Sequence, residues 1–144
     1  MGTSVQIVFD CADPDRLAKF WATALHYKEQ DPPAGYASWP EFLKARGVPE
    51  AEWNSASAIV DPEKVGPRIY FQQMDTPKPK KNRVHLDLNI SGGGKVAYEE
   101  RVKRIDAEVE RILGLGATKQ RVGDDPGEYW IVMQDPEGNE FCVQ

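Results

Sequence analysis

A histidine and a carboxylate lie two residues apart in the run NRVHLDLNI at residues 82–90. Apolar and polar residues alternate there without a break, which is the period of a strand with one face on a core. The polar face carries His85, Asp87 and Asn89. An imidazole beside a carboxylate can act as a general acid or base, or can bind a metal ion. The alternative is a strand whose polar face only meets water.

The overall charge narrows the class of partner. The chain of 144 residues has a net charge of −5, which argues against a surface for nucleic acid, because such binding depends on basic residues. No apolar run approaches the roughly 18 residues of a membrane span, and residues 1–4 show no signal-peptide pattern. Cys11 and Cys142 are the two cysteines. We therefore expect a cytoplasmic protein with reduced thiols, no nucleic-acid partner and no membrane segment.

Hydrophobic periodicity predicts the elements that position these residues. A strand at 5–11 leads into a helix capped by Asp13, with Pro14 in its first turn and Trp21 on a wide apolar stripe that faces the core. A second long helix is predicted at 96–113. The remaining predicted elements are strands at 57–60, 68–73, 84–90, 117–122, 129–134 and 140–144 and a turn at 124–127.

Prolines and glycines interrupt the segment 28–55, where only one short helix, at 41–46, is predicted. Trp39 and Trp53 are among the aromatic residues that make it too apolar for a free linker. A connection of this length in a compact domain is usually a functional cover. Two interpretations stay open: a lid over a site, or a flap that only seals one end of the core.

The order of elements repeats within the chain: a strand, a helix and further strands occur twice. Setting the two leading strands against each other places Gln6 opposite His85, an offset of 79 residues (85 − 6). The triplet DPE at 61–63 is echoed at 135–137. We predict one α+β domain over 1–144, with module one at 4–76 including the insert 28–55, a connector at 77–82 and module two at 83–144.

Three stretches resemble the vicinal oxygen chelate superfamily, which includes glyoxalases and bleomycin resistance proteins, and in particular its glyoxalase-like domain subgroup. They are QIVFDCADP at 6–14, LGLGAT at 113–118 and WIVMQDPEGNEFCV at 130–143. The resemblance implies two βαβββ modules whose strands form a curved mixed sheet around a cup. In metal-dependent members, four side chains converge in the cup, one each from the first and last strands of each module.

Carried over onto this chain, the four implied positions are Gln6, Gln72, His85 and Cys142. The family usually has glutamate at the two late positions, and here these are Gln72 and Cys142. Ions that prefer oxygen ligands, such as Mg²⁺ and Mn²⁺, depend on carboxylates, and two neutral amides are poor ligands for Zn²⁺. We therefore predict no resident cofactor or metal, and keep the four residues as the set that a metal-dependent form would use. Cys11 has the opposite parity to Gln6 and should be a buried structural thiol.

Two functions follow from the resemblance and the residues. The first is a metal-free cup that binds a small organic ligand, with a sequestering or resistance role; the aromatic side chains predicted to line it are Tyr70, Trp39, Trp53 and Trp130. The second is a lyase, isomerase or dioxygenase-like enzyme, with His85 as acid, base or metal ligand and Asp87 orienting it. A purely structural or interaction domain is the third alternative. Family analogy alone adds the expectation of a homodimer.

Overall fold

The computed structural model describes residues 1–123 and 125–144 of the chain. These residues form two compact units, Met1–Pro77 and Lys78–Gln144. The predicted turn at 124–127 starts at a residue outside the described ones. In both units the order is one strand, one main helix and three strands, so the predicted α+β fold with two βαβββ modules is confirmed.

The elements of the first unit are strand β1 (Ile7–Cys11), helix α1 (Pro14–Leu25), strand β2 (Lys28–Glu29), helix α2 (Trp39–Ala45), and strands β3 (Ala56–Val60) and β4 (Ile69–Gln73). Those of the second are strand β5 (Leu86–Leu88), helix α3 (Tyr98–Leu113), and strands β6 (Thr118–Gly123), β7 (Trp130–Gln134) and β8 (Glu140–Val143). The observed strand β5 is therefore shorter than the alternating run at 84–90 that predicts it. The short β2 lies within the segment where no strand was predicted.

The two sheets have the same topology. The strand order is β1-β4-β3-β2 in the first and β5-β8-β7-β6 in the second. In each, the leading strand pairs in parallel with the last strand, and the other neighbours are antiparallel. The repeated element order read from the sequence thus corresponds to a repeated sheet.

Helix α1 provides the core of the first unit. Asp13 caps it by accepting from the backbone N–H of Arg16 at 3.2 Å, and the helix ends at His26 in the left-handed conformation. Its apolar stripe packs against β3 and β4. The side chain of Trp21 is 1% exposed, which confirms its predicted place in the core. Cys11 is also buried, and its thiol lies 3.7 Å from the backbone oxygen of Gln72.

Helix α3 covers one face of the second sheet. It contacts β7 and β8, and its buried residues are Ile105, Val109 and Ile112. From the sheet, three wholly buried side chains meet this face: Ile131, Met133 and Phe141. Because side chains alternate along a strand, the residues next to these three in β7 and β8, such as Val132 and Cys142, point to the opposite face. We call that opposite side the open face of the second sheet.

Aromatic side chains within the segment 28–55 pack against one another. The ring of Phe42 makes edge contacts with Tyr36 at 5.1 Å and Trp39 at 5.8 Å, and the guanidinium of Arg46 lies 5.3 Å above it. Helix α2 contains no buried residue. It begins two residues before the predicted helix, because Ser38 caps it by accepting from the N–H of Glu41. A role as a lid stays a prediction.

The two DPE triplets form equivalent loops. Asp61 accepts backbone N–H groups from Glu63 at 2.9 Å and from the residue four positions on, Val65, at 3.0 Å. Asp135 likewise accepts from Glu137 and Asn139, both at 2.9 Å. Each aspartate therefore closes a tight turn between two strands, which explains why the triplet recurs in both modules.

Along residues 1–123 and 125–144, the helices are too short or too polar to cross a lipid bilayer.

Candidate functional site

One register row crosses the open face of the second sheet. Asp87 of β5 pairs with Cys142 of β8, Cys142 with Val132 of β7, and Val132 with Arg121 of β6. Register partners point to the same side of a sheet, so these four side chains share the open face. The row therefore has a carboxylate at one end, a thiol and an apolar residue in its middle, and a guanidinium at the other end.

His85 joins this row from just before β5. Its Nε2 lies 3.2 Å from Oδ1 of Asp87, and the two side chains are 49% and 41% exposed. The sulfur of Cys142 and a carboxylate oxygen of Asp87 lie within 4.8 Å of each other. His85, Asp87 and Cys142 thus form a three-residue cluster on the open face. The structure places His85 and Asp87 together, as the alternation indicated.

The environment of Cys142 favours the protonated thiol. Burial raises the pKa of the thiol, and the nearby carboxylate of Asp87 raises the pKa further. The positive charge of Arg121 acts in the opposite direction, lowering the pKa. A raised pKa keeps the thiol protonated to higher pH and makes it a weak nucleophile in the protein without a metal ion.

The same three residues could hold a metal ion. One donor atom each from His85, Asp87 and Cys142 lies within 4.8 Å of the other two. Bonds of about 2.0–2.3 Å to a tetrahedral Zn²⁺ separate its ligand atoms by roughly 3.3–3.8 Å, so donor atoms up to 4.8 Å apart would have to move closer together to share an ion. Imidazole, carboxylate and thiolate are all zinc ligands, and three of them leave a fourth position for a small molecule. The expectation that no metal binds is therefore not confirmed, and the chemistry of the cluster fits Zn²⁺.

Trp130 lies on the same open face, at the edge formed by β6 and β7. Its register partner is Gly123, and the indole ring covers the position that a side chain at residue 123 would need. Glycine is thus required opposite the ring because any larger residue would displace it. This places an aromatic surface on the same sheet face as Val132 and Arg121.

The first unit arranges its predicted site residues differently. Gln6 lies beside Arg68, whose Nη1 donates to Oε1 of Gln6 at 2.8 Å. Gln72 pairs in register with Asp10, which lies four positions after Gln6 in the chain. At about 3.3 Å per residue, Gln6 and Gln72 are therefore separated by roughly 13 Å along the strands. The structure does not bring these two glutamines together, and the Oε1 atom of Gln6 that a metal would need already accepts from a guanidinium.

The pairing register also changes how the two modules correspond. Phe71 and Phe141 are wholly buried in equivalent strands, and they pair with Phe9 and Leu86. Matching these pairs sets Asp10 against Asp87, an offset of 77 residues (87 − 10) instead of 79. The counterpart of His85 is then Val8 rather than Gln6. The first sheet thus has an apolar side chain where the second has its histidine.

The remaining aromatic candidates occupy separate places. Tyr70 lies on the side of the first sheet opposite α1, where the Arg68 guanidinium is 5.3 Å from its ring. The indole N–H of Trp39 donates to the backbone oxygen of Gln30 at 2.7 Å, and that of Trp53 to the backbone oxygen of Val48 at 2.9 Å. Both bonds lie within the insert. Contact of these aromatic residues with a ligand stays a prediction.

Two arginines near these residues were not identified from the sequence. Arg68 has the same parity as Tyr70 and Gln72, so the alternation of β4 already contained the signal for its position. Arg121 gave no such signal, because a bulge between Lys119 and Arg121 shifts the register of β6 against β7. Simple alternation counted from the start of β6 would place Arg121 on the wrong face.

Comparisons with known proteins agree with this architecture. A family model described as "Glyoxalase-like domain" matches residues 6–144. The solved structures with a similar fold include a mutant of the fosfomycin resistance protein FosX from Listeria monocytogenes, complexed with Mn(II) and 1S,2S-dihydroxypropylphosphonic acid. The identity to that protein is 16%, the TM-score is 0.60, and the match covers 100% of this chain and 90% of that one.

Two further structures match at similar levels. A glyoxalase/bleomycin resistance protein/dioxygenase family enzyme from Burkholderia phytofirmans PsJN is 13% identical, with a TM-score of 0.58 and coverage of 96% of this chain and 94% of that one. TioX from Micromonospora sp. ML1 is 13% identical, with a TM-score of 0.53 and coverage of 99% and 97%. At these identities the likeness shows the fold alone. A search of the curated proteins gave no match.

Proposed function

Since the chain belongs to the glyoxalase-like domain family, we propose that it binds a small organic molecule on the open face of its second sheet, with His85 as the contacting group. The observation that carries this proposal is the cluster in which Nε2 of His85 lies 3.2 Å from Oδ1 of Asp87, with donor atoms of His85, Asp87 and Cys142 all within 4.8 Å of one another. A strand with a merely solvated polar face has no need for three such side chains to converge.

The cluster leaves one nitrogen of His85 for a ligand. With Nε2 directed at Asp87, the neutral imidazole has its proton on that nitrogen, and Nδ1 is the acceptor. About half of the His85 side chain is exposed, so a small molecule can reach it. Asp87 acts here as a positioning residue that fixes the ring orientation and the tautomer.

The neighbouring side chains suit an organic ligand. Trp130 and the largely buried Val132 supply apolar surface on the same face, and Arg121 supplies a positive charge beyond Val132. Such a mixture of apolar surface and a few polar groups is typical of small-molecule sites. Binding without reaction would correspond to a sequestering or resistance role, and resistance is the role named for the structurally similar FosX.

Ligand-induced quenching of tryptophan fluorescence across a panel of small organic molecules tests this proposal. A compound whose quenching is largely lost in Trp130→Phe binds on the open face, and His85→Ala should abolish the response to that compound. The matched control is His26→Asn, at the exposed left-handed end of α1, a conformation that asparagine tolerates. A response that depends on Trp130 and survives His85→Ala unchanged would reject this site.

A second candidate is an enzyme, favoured by the donor spacing of the cluster. Without a metal, Nδ1 of His85 would move a proton next to a substrate carbonyl, as in an isomerase or lyase. With a metal, His85, Asp87 and Cys142 would hold the ion, which supplies a Lewis acid for a substrate oxygen. In that form Arg121 would help to hold the thiolate, because its positive charge lowers the pKa of Cys142.

Elemental analysis of protein purified without chelators separates the two forms. A stoichiometric metal that is lost in His85→Ala and in Cys142→Ser, and retained in His26→Asn, would establish the metal-dependent form. Substitution with Co²⁺ provides a second readout, since a cobalt–thiolate bond has a charge-transfer absorption that Cys142→Ser must remove. Absence of metal, together with failure of added Zn²⁺ to bind, would leave the metal-free form.

We also propose that the chain is cytoplasmic and forms a homodimer. Both cysteines are buried thiols, which suits a reducing compartment, and the dimer is proposed by analogy with the superfamily. Light scattering at several concentrations measures the mass directly; a constant mass equal to the 16.2 kDa chain would rule out the dimer.

A further inference from the structure

We propose that Arg68, held by Gln6 and Gln30 on the first sheet, is a receptor for the anionic group of a small organic acid. This site lies in the first unit and is independent of the proposed role of His85. Its Nε donates to Oε1 of Gln30 at 2.7 Å, and its Nη1 donates to Oε1 of Gln6 at 2.8 Å. The guanidinium is thereby fixed in one plane by two neutral amides.

The side chains that hold the guanidinium of Arg68 carry no charge of their own. Three other arginines, at positions 101, 104 and 111, have a carboxylate partner within 4.0 Å. Among the described residues, no carboxylate pairs with Arg68 in this way. A guanidinium has five N–H donors, and two of them are used by the glutamines. A half-buried, immobilised cation with donors to spare favours an anion with two acceptor oxygens.

The glutamines add donors of their own. Arginine has no acceptor, so each amide must present its oxygen to the guanidinium. The NH₂ groups of Gln6 and Gln30 are consequently directed away from Arg68. The groups that remain for a ligand are therefore N–H donors, an arrangement that selects a carboxylate or phosphonate over a neutral carbonyl compound.

Apolar surface beside the guanidinium indicates the rest of the ligand. Tyr70 lies under Arg68 with 5.3 Å between the guanidinium carbon and the ring centre. Its register partner Val8 is 50% exposed, and both lie on the same face as Arg68. An acid with an aromatic or branched apolar body would cover Val8 and Tyr70 while its anionic group meets Arg68. The ligand class is therefore a small aromatic or aliphatic organic acid.

Isothermal titration of the full chain with benzoate, phenylphosphonate and neutral benzamide tests the charge requirement. We expect both anions to bind and benzamide to bind at least ten times more weakly, because a charge-assisted hydrogen bond contributes roughly ten- to hundredfold in affinity. Benzoate should also shift the ¹⁵N–¹H signal of the Arg68 side chain. Failure of both anions to bind at millimolar concentration, or equal binding of benzoate and benzamide, would overturn the proposal.

Two variants and a matched control locate the site. Arg68→Gln should weaken benzoate binding about ten- to hundredfold. Gln30→Glu keeps the shape of the cradle and places a carboxylate against Nε, so it should abolish binding even if Arg68→Gln folds poorly. Arg46→Gln is the control, since Arg46 also lies over an aromatic ring, Phe42, at 5.3 Å. Benzoate affinity that is unchanged in Gln30→Glu would refute the assignment.

Discussion

Replacement of Asp135 by asparagine should destabilise the protein strongly, although it changes only one atom of the side chain. Asp135 is 3% exposed. Its Oδ1 accepts from the backbone N–H groups of Glu137 and Asn139, and its Oδ2 accepts from the side-chain amide of Asn139 at 2.8 Å. In Asp135→Asn, the new NH₂ group would face the amide of Asn139, so a donor would meet a donor.

The magnitude follows from these contacts. Two backbone bonds change from a charged to a neutral acceptor, at about 1 kcal/mol each, and one side-chain bond is lost, at about another 1 kcal/mol. The expected loss in the free energy of unfolding is therefore about 3 kcal/mol, or a fall in Tm of roughly 6–12 °C for a chain of this size. Asp61→Asn in the equivalent loop of the first unit should have a smaller effect, because Asp61 is more exposed.

Urea unfolding followed by tryptophan fluorescence measures the difference. If the slopes of the transitions are equal, the shift in the urea midpoint gives the loss of stability of each variant. Circular dichroism should show an unchanged native spectrum. If Asp135→Asn lies within about 0.5 kcal/mol of the wild type, the carboxylate does not close the turn, and the physical explanation given for the DPE triplet is wrong.

Three further outcomes are expected. Gly123→Ala should push aside the ring of Trp130, which leaves no room for a Cβ atom; the emission maximum should move to longer wavelength and the Tm should fall, whereas an unchanged spectrum would contradict the packing. Glu140→Gln should flatten the loss of stability in acid: a lysine hydrogen bond lowers the pKa of Glu140 from 4.5, so its contribution is present above pH 4.5 and is lost as the pH falls below that. Urea midpoints between pH 6 and 2.5 measure this, and parallel curves would count against it. Asp87→Asn should let iodoacetamide alkylate Cys142 at lower pH, with the other cysteine replaced by alanine, because it removes a charge that raises the pKa of the thiol; an unshifted pH–rate profile would refute that influence.

The fold was readable from the sequence because each main element has a strong local signal. Asp13 and Pro14 mark the start of α1, and the four-and-three spacing of apolar residues marks α3. The ends of β5 were less clear, since alternation continues beyond the hydrogen-bonded residues. The alternation of apolar and polar residues shows which side chains share a face of the strand. The residues at which a strand begins and ends depend on hydrogen-bond partners that are distant in the chain.

The candidate site was only partly readable for the same reason. His85 and Asp87 are neighbours on one strand, so their spacing alone predicted the contact between them. The partnership of Asp87 with Cys142 and the separation of Gln6 from Gln72 depend on register between strands, which no single stretch of sequence specifies. Aligning the first residues of the two leading strands sets Gln6 against His85. The observed strand pairing shifts that alignment by two positions, so that Val8 corresponds to His85.

The bulge in β6 has a consequence for how relatives of this chain are compared. Lys119 pairs with Met133 and Arg121 with Val132, so Gln120 is an extra residue within the strand. A relative that lacks this residue would have a regular strand with its arginine at the same place in space but one position earlier in sequence. Correct alignment of the two would require a gap inside the strand, where gaps are normally penalised. Without that gap, the charged position on the open face would be matched to an inward-facing one, and the arginine would look unconserved.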